Sequence, residues 1–404
     1  MDKILKEVLQ VIKPTEKEIN SMNDVSNFIL KKIKIPYAIP FLGGSGAKNT
    51  WLKNSHDIDI YIRFSKNKYA GKDISKILKK HLEKKFKIST LHGSRDYYQA
   101  TINDFTIEFI PLFNINKATE ADNITDISPL HTAYVNKYKK YDDIRLFKAF
   151  CKANNVYGAE SYIQGLSGYV CEILIINYGS FKNSIKNISK WKARTEIGNK
   201  SKIKELNSEK VQSPLVLLDP VDHFRNAAAA ISKEKYELLR SACKSFVRKP
   251  SKSLFVKQEI NLEYINKKYH NKKVLQYKII PLDAKKDVAG AKLRRGVEYL
   301  EAKLKEQEFE VEKTYWNFDK TSDLFLVMNP KTLHYLKKHL GPPKENKAAI
   351  EAFKKKWKDY HVSSNSKRVF VEIPRKFQLP EELITHLIRS DKVLKQFMKT
   401  IRTA

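Results

Sequence analysis

The sequence predicts a multidomain α+β protein: a mixed sheet with helices at the N-terminal end, a mainly helical centre, and a smaller C-terminal α/β domain. Three observations carry that reading. The chain has 404 residues, more than one ordinary core organises, and calls for two to four domains. Short runs with strand periodicity cluster before residue 114 and again after residue 270, whereas apolar residues between them recur at helical spacing. Beyond Lys257 the composition shifts and a β-α-β order begins. The domains are accordingly set at 1–137, 138–270 and 271–404.

The elements follow in order. Ile4, Val8, Leu9 and Ile12, then Ile19, Met22, Val25, Ile29 and Leu30, give two helices parted near Pro14. Gly43, Gly44, Ser45 and Gly46 form a small-residue turn that lets backbone approach a ligand closely, and 47–53 is read as opening a helix whose free N–H groups face an anion. Ile58, Ile60 and Ile62 alternate with polar residues, so 57–63 is a half-buried strand with Asp57 and Asp59 on one face. A lysine-rich helix over 74–86 and strands at 88–91, 97–102 and 105–113 complete the first domain.

Helices are then expected at 133–154 and 163–178. The 182–204 stretch carries eight Lys or Arg around Trp191 and one acid, Glu196, and reads either as a mobile basic loop near a phosphate backbone or as a solvated surface loop. An alanine-rich helix is expected at 225–232 and another at 233–247. The last domain is read as strands at 273–280, 309–318 and 324–328, helices at 288–304 and 332–340, a break at Gly341-Pro-Pro343, and a basic helix at 348–358 around Phe353 and Trp357.

Two carboxylates beside a phosphate seat repel one another unless a divalent cation lies between them, and magnesium suits oxygen ligands while keeping sites for substrate phosphates. Glu108, on a later strand, is the best third carboxylate. Asp-x-Asp also occurs on plain solvated strand faces; the Gly-Ser turn twelve residues before Asp57 favours catalysis here. The 77 Lys plus Arg against 45 Asp plus Glu leave a formal charge of +32, so a large polyanion, nucleic acid first, is the expected partner. A membrane is not expected: no run approaches about 18 uncharged apolar residues, and the most apolar one, 169–178, contains Glu172. Neither a secretory signal nor a Cys-x-x-Cys pair is visible, so a cytoplasmic protein with core thiols at Cys151, Cys171 and Cys243 is expected.

Taken together, Gly44-Ser45 with Thr50-Trp51-Leu52, Asp57-Ile-Asp59, Glu108-Phe-Ile-Pro111, Pro129-Leu-His131-Thr-Ala-Tyr134, Val156-Tyr157-Gly-Ala-Glu160, Gly165-Leu-Ser-Gly-Tyr169, Asp219-Pro-Val-Asp222 with Arg225-Asn226, and Gly341-Pro-Pro343 resemble the archaeal-type, class I tRNA nucleotidyltransferases. These are the CCA-adding enzymes of the DNA polymerase beta superfamily, and the resemblance spans nearly the whole chain. It implies a polymerase-beta-like nucleotidyltransferase head, with Asp57, Asp59 and Glu108 as metal-binding carboxylates and Mg²⁺ as cofactor. It further implies that Gly44, Ser45, Lys48, His131, Lys148 and Tyr157 meet the triphosphate and that Arg225 helps select the incoming base. Many members have aspartate where Glu108 stands, and arginine as well as lysine at the position of Lys48. The C-terminal part is implied to grip the acceptor-stem and T-loop end of tRNA, where the sequence offers Lys354, Lys355, Lys356 and Lys358 beside Trp357.

The expected activity is template-independent addition of C, C and A to the tRNA 3′ end from CTP and ATP. A poly(A) polymerase or oligoadenylate synthetase would keep the turn and the carboxylates but use ATP alone. A non-catalytic RNA-binding protein would keep only the basic surface, and an idle cluster of three carboxylates costs stability. The sequence leaves a monomer and a homodimer both open.

Overall fold

A computed structural model describes all residues, 1–404, as two compact units, Met1–Gln258 and Glu259–Ala404. In the first unit α1 (Asp2–Ile12) and α2 (Glu16–Lys32) are parted at Pro14, and α2 starts at a reciprocal cap between Thr15 and Glu18. A five-stranded sheet follows, with β1 (Ala38–Leu42), β2 (Asp57–Phe64), β3 (Ser89–Leu91), β4 (Tyr97–Ile102) and β5 (Phe105–Phe113) in the order β1-β2-β5-β4-β3. Only β2 and β5 run parallel. The short helices α3 (Gly44–Ala47) and α4 (Lys66–Tyr69) lie in its connections, and α5 (Ile74–Leu82) crosses between β2 and β3. One sheet face is dry: Ile58, Ile60, Ile62, Ile107 and Phe109 pack with Met22, Val25 and Ile29 of α2 and Leu78 and Leu82 of α5. That leaves the Asp57 and Asp59 face for the site.

Next come α6 (Ser128–Tyr138), α7 (Tyr141–Ala153), α8 (Gly168–Tyr178), α9 (Phe181–Ile188), α10 (Lys200–Lys204) and α11 (Lys233–Arg248), with a two-stranded parallel ladder of β6 (Thr195–Ile197) and β7 (Leu215–Leu217). Phe147, Phe150, Phe181 and Phe246 build their core, which also takes Leu5 and Val8 of α1. The rings meet mostly edge to face, as aromatic quadrupoles favour.

The second unit holds α12 (Leu262–Lys268) and a sheet of β8 (Lys273–Ile280), β9 (Val311–Trp316) and β10 (Ser322–Met328). Helix α13 (Lys286–Glu306) packs on that sheet. A three-stranded sheet of β11 (Leu336–Pro343), β12 (Val362–Ser364) and β13 (Arg368–Pro374) carries α14 (Lys347–Lys356), and α15 (Pro380–Ser390) precedes β14 (Thr400–Thr403), which pairs with β8.

Away from the small-residue turn, four segments differ from the expectation. The helix expected at 133–154 is two, because Lys139 turns left-handed at φ 50°. The 182–204 stretch is no loop: α9 buries Phe181, Ile185 and Ile188, and Trp191 stacks on Tyr236 at 5.4 Å and donates to the Tyr178 hydroxyl. No helix forms at 225–232, since the buried Asn226 side chain binds the Leu217 amide and the Leu215 carbonyl and ties the segment to β7. Finally, 332–340 is not a helix: Leu336 to Leu340 pair with β13, and the ladder shifts register between Leu340 and Pro343. Prolines suit such an edge, and a Cβ on Gly341 would come within 2.8 Å of Val369.

Candidate active site

Parallel pairing of β2 with β5 sets Asp59 opposite Glu108, with Asp57 two residues earlier on the same face. The intervening Ile58 and Ile60 are almost wholly buried, so a one-residue slip would drive the carboxylates into the core; their position is fixed by burial on the other face.

The small-residue turn is fastened to this strand. Gly43 donates its N–H to the Asp59 carbonyl at 2.7 Å. Gly44 adopts φ 52°, and a Cβ there would fall 1.5 Å from Asp59 Oδ2, so only glycine allows this approach. The helix expected over 47–53 is instead the single turn α3, closed by Asn49 at φ 48°.

Together these elements border a cavity of about 370 Å³. Ser45 and Lys48 reach it from the turn, Asp57, Asp59 and Glu108 from the sheet, and Lys148, Tyr157 and Tyr169 from the helical layer. Burial raises the Asp59 carboxyl above its usual range; Lys48 opposes that shift and Asp57 adds to it. Three oxygen-donor side chains, one of them destabilised as an anion, match the ligand preference of a hard divalent cation. They do not converge into a closed ion cage. Magnesium needs none, because it retains sites for water and phosphate.

A second cluster adjoins the first through Tyr169. Its ring stacks on His131 at 3.9 Å and its hydroxyl donates to Asp219 Oδ1 at 3.0 Å. Arg225 donates to the other Asp219 oxygen at 2.9 Å. His131 Nε2 lies 3.2 Å from that oxygen, a close but poorly aligned contact and the nearest partner the structure gives this nitrogen. Burial pushes the Asp219 carboxyl up, yet His131, the Val221 amide and Arg225 hold it at about 2.

Of the residues singled out in the sequence, Ser45, Lys48, Asp57, Asp59, Glu108, Lys148 and Tyr157 share the cavity, and Gly44 backs Asp59. His131 and Arg225 belong to the adjoining Asp219 cluster. Lys354, Lys355, Lys356 and Lys358 are exposed in the second unit, at the end of α14, where Lys354 also pairs with Glu351 at 2.9 Å.

Sequence reasoning gave no role to Glu172, Lys152 or Asp219. Glu172 is fully buried between Lys48 and Lys148, each 2.7 Å away. Its signal was the lone acid in an apolar run. Lys152 lines the cavity one helical turn after Lys148 and lies over the Tyr157 ring at 5.1 Å. Desolvation in the wall, and then the Lys148 charge, hold its ammonium below the usual lysine range, although much of the side chain is exposed.

A turn packed on an Asp-x-Asp strand, a third carboxylate in register and lysines around one cavity define a nucleotidyltransferase. Family models agree along the chain: "Nucleotidyltransferase domain" matches residues 29–141, "tRNA nucleotidyltransferase, second domain" 142–256, and "CCA-adding enzyme, C-terminal domain" 281–403. The CCA-adding enzyme of Nanoarchaeum equitans is 37% identical over 78% of this chain and 79% of its own length. That of Methanosarcina barkeri is 30% identical over 98% of this chain and 91% of its own. The chain belongs to the CCA-adding enzymes, which add C, C and A to tRNA from CTP and ATP without a template. Among solved structures, a Cid1 poly(U) polymerase bound to MgATP aligns with TM-score 0.51 at 16% identity, over 63% of this chain and 98% of that one, and shares the fold alone. No helix is long and apolar enough to cross a membrane.

Proposed function

We propose that the cavity between the β2–β5 carboxylates and the α7–α8 lysines is the single centre at which all three nucleotides are joined to tRNA. The observation that carries this reading is the meeting of Asp57, Asp59 and Glu108 with Ser45, Lys48, Lys148 and Tyr157 around one space. In this reading Asp57, Asp59 and Glu108 hold two Mg²⁺ ions. When bound, the ions make the tRNA 3′-hydroxyl a better nucleophile and neutralise the departing pyrophosphate.

The chain's own groups do the positioning that phosphoryl transfer mostly requires. Gly44 and Ser45 bring backbone against the phosphates. Lys48, Lys148 and Tyr157 donate to the triphosphate oxygens, and His131, beside Asp219 in the adjoining cluster, is assigned a further contact to the triphosphate. Asp219 keeps the Arg225 guanidinium in one orientation. That guanidinium offers only donors, which suits O2 and N3 of cytosine and N1 of adenine and leaves the N3–H of uracil unmatched.

The assignment extends to the domains: 1–137 for catalysis, 138–270 for nucleotide recognition, and 271–404 for the acceptor-stem and T-loop end of tRNA through Lys354, Lys355, Lys356 and Lys358, with the enzyme acting in the cytoplasm. The test is to incubate the protein with Mg²⁺ and tRNA ending at the discriminator base, supplying CTP, ATP or both. Two nucleotides are expected with CTP, and three, ending in A, with the mixture. Runs of A from ATP alone would contradict the proposal.

A further inference from the structure

Glu172 sits in the apolar helix α8 with its carboxylate wholly out of water. A charge survives there only if it is paired and fully hydrogen-bonded. Its Oε2 accepts from Lys48 Nζ at 2.7 Å and its Oε1 from Lys148 Nζ at 2.7 Å. Thr50 Oγ1 donates to Oε1 at 3.0 Å and accepts from Lys148 Nζ at 2.9 Å. Three chain segments thus meet on one carboxylate: the end of the small-residue turn, α7 and α8.

Two ammonium groups against one carboxylate leave the cluster with one surplus positive charge, on the wall of the cavity that also holds Asp57, Asp59 and Glu108. Each ammonium has three N–H donors. Within the cluster Lys148 uses two of them, on Glu172 and Thr50, and Lys48 uses one, on Glu172. The remaining donors can meet phosphate oxygens while the cluster stays intact. A Cβ on Gly168 would come within 3.0 Å of the Tyr157 hydroxyl but would meet Lys148 only at an ordinary contact distance of 3.6 Å.

We propose that Glu172 is a positioning residue for nucleotidyl transfer: its buried carboxylate sets the Lys48 and Lys148 ammoniums at one spacing, so that the triphosphate seat is formed before the nucleotide arrives. The inference rests on the assignment of Lys48 and Lys148 to the triphosphate. Glu172 itself touches neither nucleotide nor tRNA. Pre-formed donors cost no reorganisation when the ligand arrives, so the effect is on nucleotide binding common to CTP and ATP.

The test compares Glu172→Gln, Glu172→Asp and Lys148→Met. Steady-state rates are measured for CTP and for ATP at saturating tRNA, with inorganic tripolyphosphate as a competitor that has phosphates but no base, and thermal melting is followed alongside. Glu172→Gln and Lys148→Met are each expected to raise KM for both nucleotides by about tenfold, and to weaken tripolyphosphate inhibition to match. KM for tRNA stays at the parent value in both, and kcat of Glu172→Gln, whose side chain touches no substrate, stays within about threefold. Glu172→Asp keeps the charge but is one methylene too short for both contacts, and gives an intermediate rise.

A raised nucleotide KM in Lys148→Met with parent values in folded Glu172→Gln overturns the role of Glu172. Parent nucleotide KM in Lys148→Met overturns instead the assignment of the lysine to the triphosphate. If Glu172→Gln does not fold, Glu172→Asp decides: a severalfold rise shared by CTP, ATP and tripolyphosphate supports positioning, and parent-like values with a lowered melting temperature reduce Glu172 to a structural ion pair.

Discussion

One added methyl group at Gly44 should disable the enzyme. In Gly44→Ala the new carbon would lie 1.5 Å from Asp59 Oδ2 and 2.5 Å from its Cγ. Non-bonded carbon and oxygen sit roughly 3.5 Å apart at best, so the turn or the carboxylate has to retreat by about 1.5–2 Å. The backbone cannot absorb this cheaply, because φ 52° is left-handed and costs an alanine about 1–2 kcal/mol. Displacement of a reacting group by about 1 Å lowers rates on the order of 100-fold. The variant should therefore melt earlier by an amount matching about 1–2 kcal/mol, keep its tRNA affinity, and lose on the order of 100-fold or more in kcat for both C and A addition. The assay follows labelled CTP into tRNA ending at the discriminator base and labelled ATP into tRNA ending in CC. Rates within about threefold of the parent for both would refute the claim that the Gly44–Asp59 approach belongs to the working site.

Arg225→Ala should slow CTP and ATP addition and weaken discrimination against UTP, since it removes the donor-only group that Asp219 orients; unchanged nucleotide preference in competition assays would leave Arg225 as a structural partner of Asp219. Replacing Lys354, Lys355, Lys356 and Lys358 by alanine should weaken tRNA binding and lower the slope of log affinity against log salt by roughly 0.9 for each phosphate no longer neutralised. The nucleotide KM at saturating tRNA should stay the same, and a parent-like salt slope would argue against this patch. Acid stability should depend on Glu172: burial pushes its carboxyl up, but Lys148 and Lys48 overcome this and hold it at about 2, below its ordinary 4.5. A depressed folded-state pKa gives stability that is present above pH 4.5 and lost as pH falls toward about 2. Urea melts of Glu172→Gln should be less steep in pH across that window, and an unchanged slope would contradict the ion-pair account.

What the sequence made legible was local. Period-two alternation put Asp57 and Asp59 on one face, and strands such as Lys273–Ile280 emerged with their observed limits because every other side chain is buried. The α+β, multidomain class followed from the same patterns. Where two long-range partners decide, local pattern failed. Leu333, Leu336 and Leu340 fit a helical spacing, but β13 provides a strand to pair with, so the segment is a strand. The alanines after Arg225 favour a helix, but the Asn226 side chain engages the backbone of β7 instead. Lys139 breaks a helix without glycine or proline to announce it. Glu172 was visible only as an oddity, because its meaning depends on Lys48 and Lys148, which stand 124 and 24 residues away.

The shared carboxylate centre is tested most directly with Asp59→Ala on three tRNA substrates, ending at the discriminator base, after one C and after both. Asp59 borders the one cavity that also holds the turn, Glu108 and the lysines. Addition to all three substrates should fall to background together, while tRNA binding stays within about twofold of the parent, since the carboxylate serves charge stabilisation at the reacting phosphate and does not meet the body of the RNA. Loss of one addition with survival of another at the parent rate would mean that C and A are not joined at the same site.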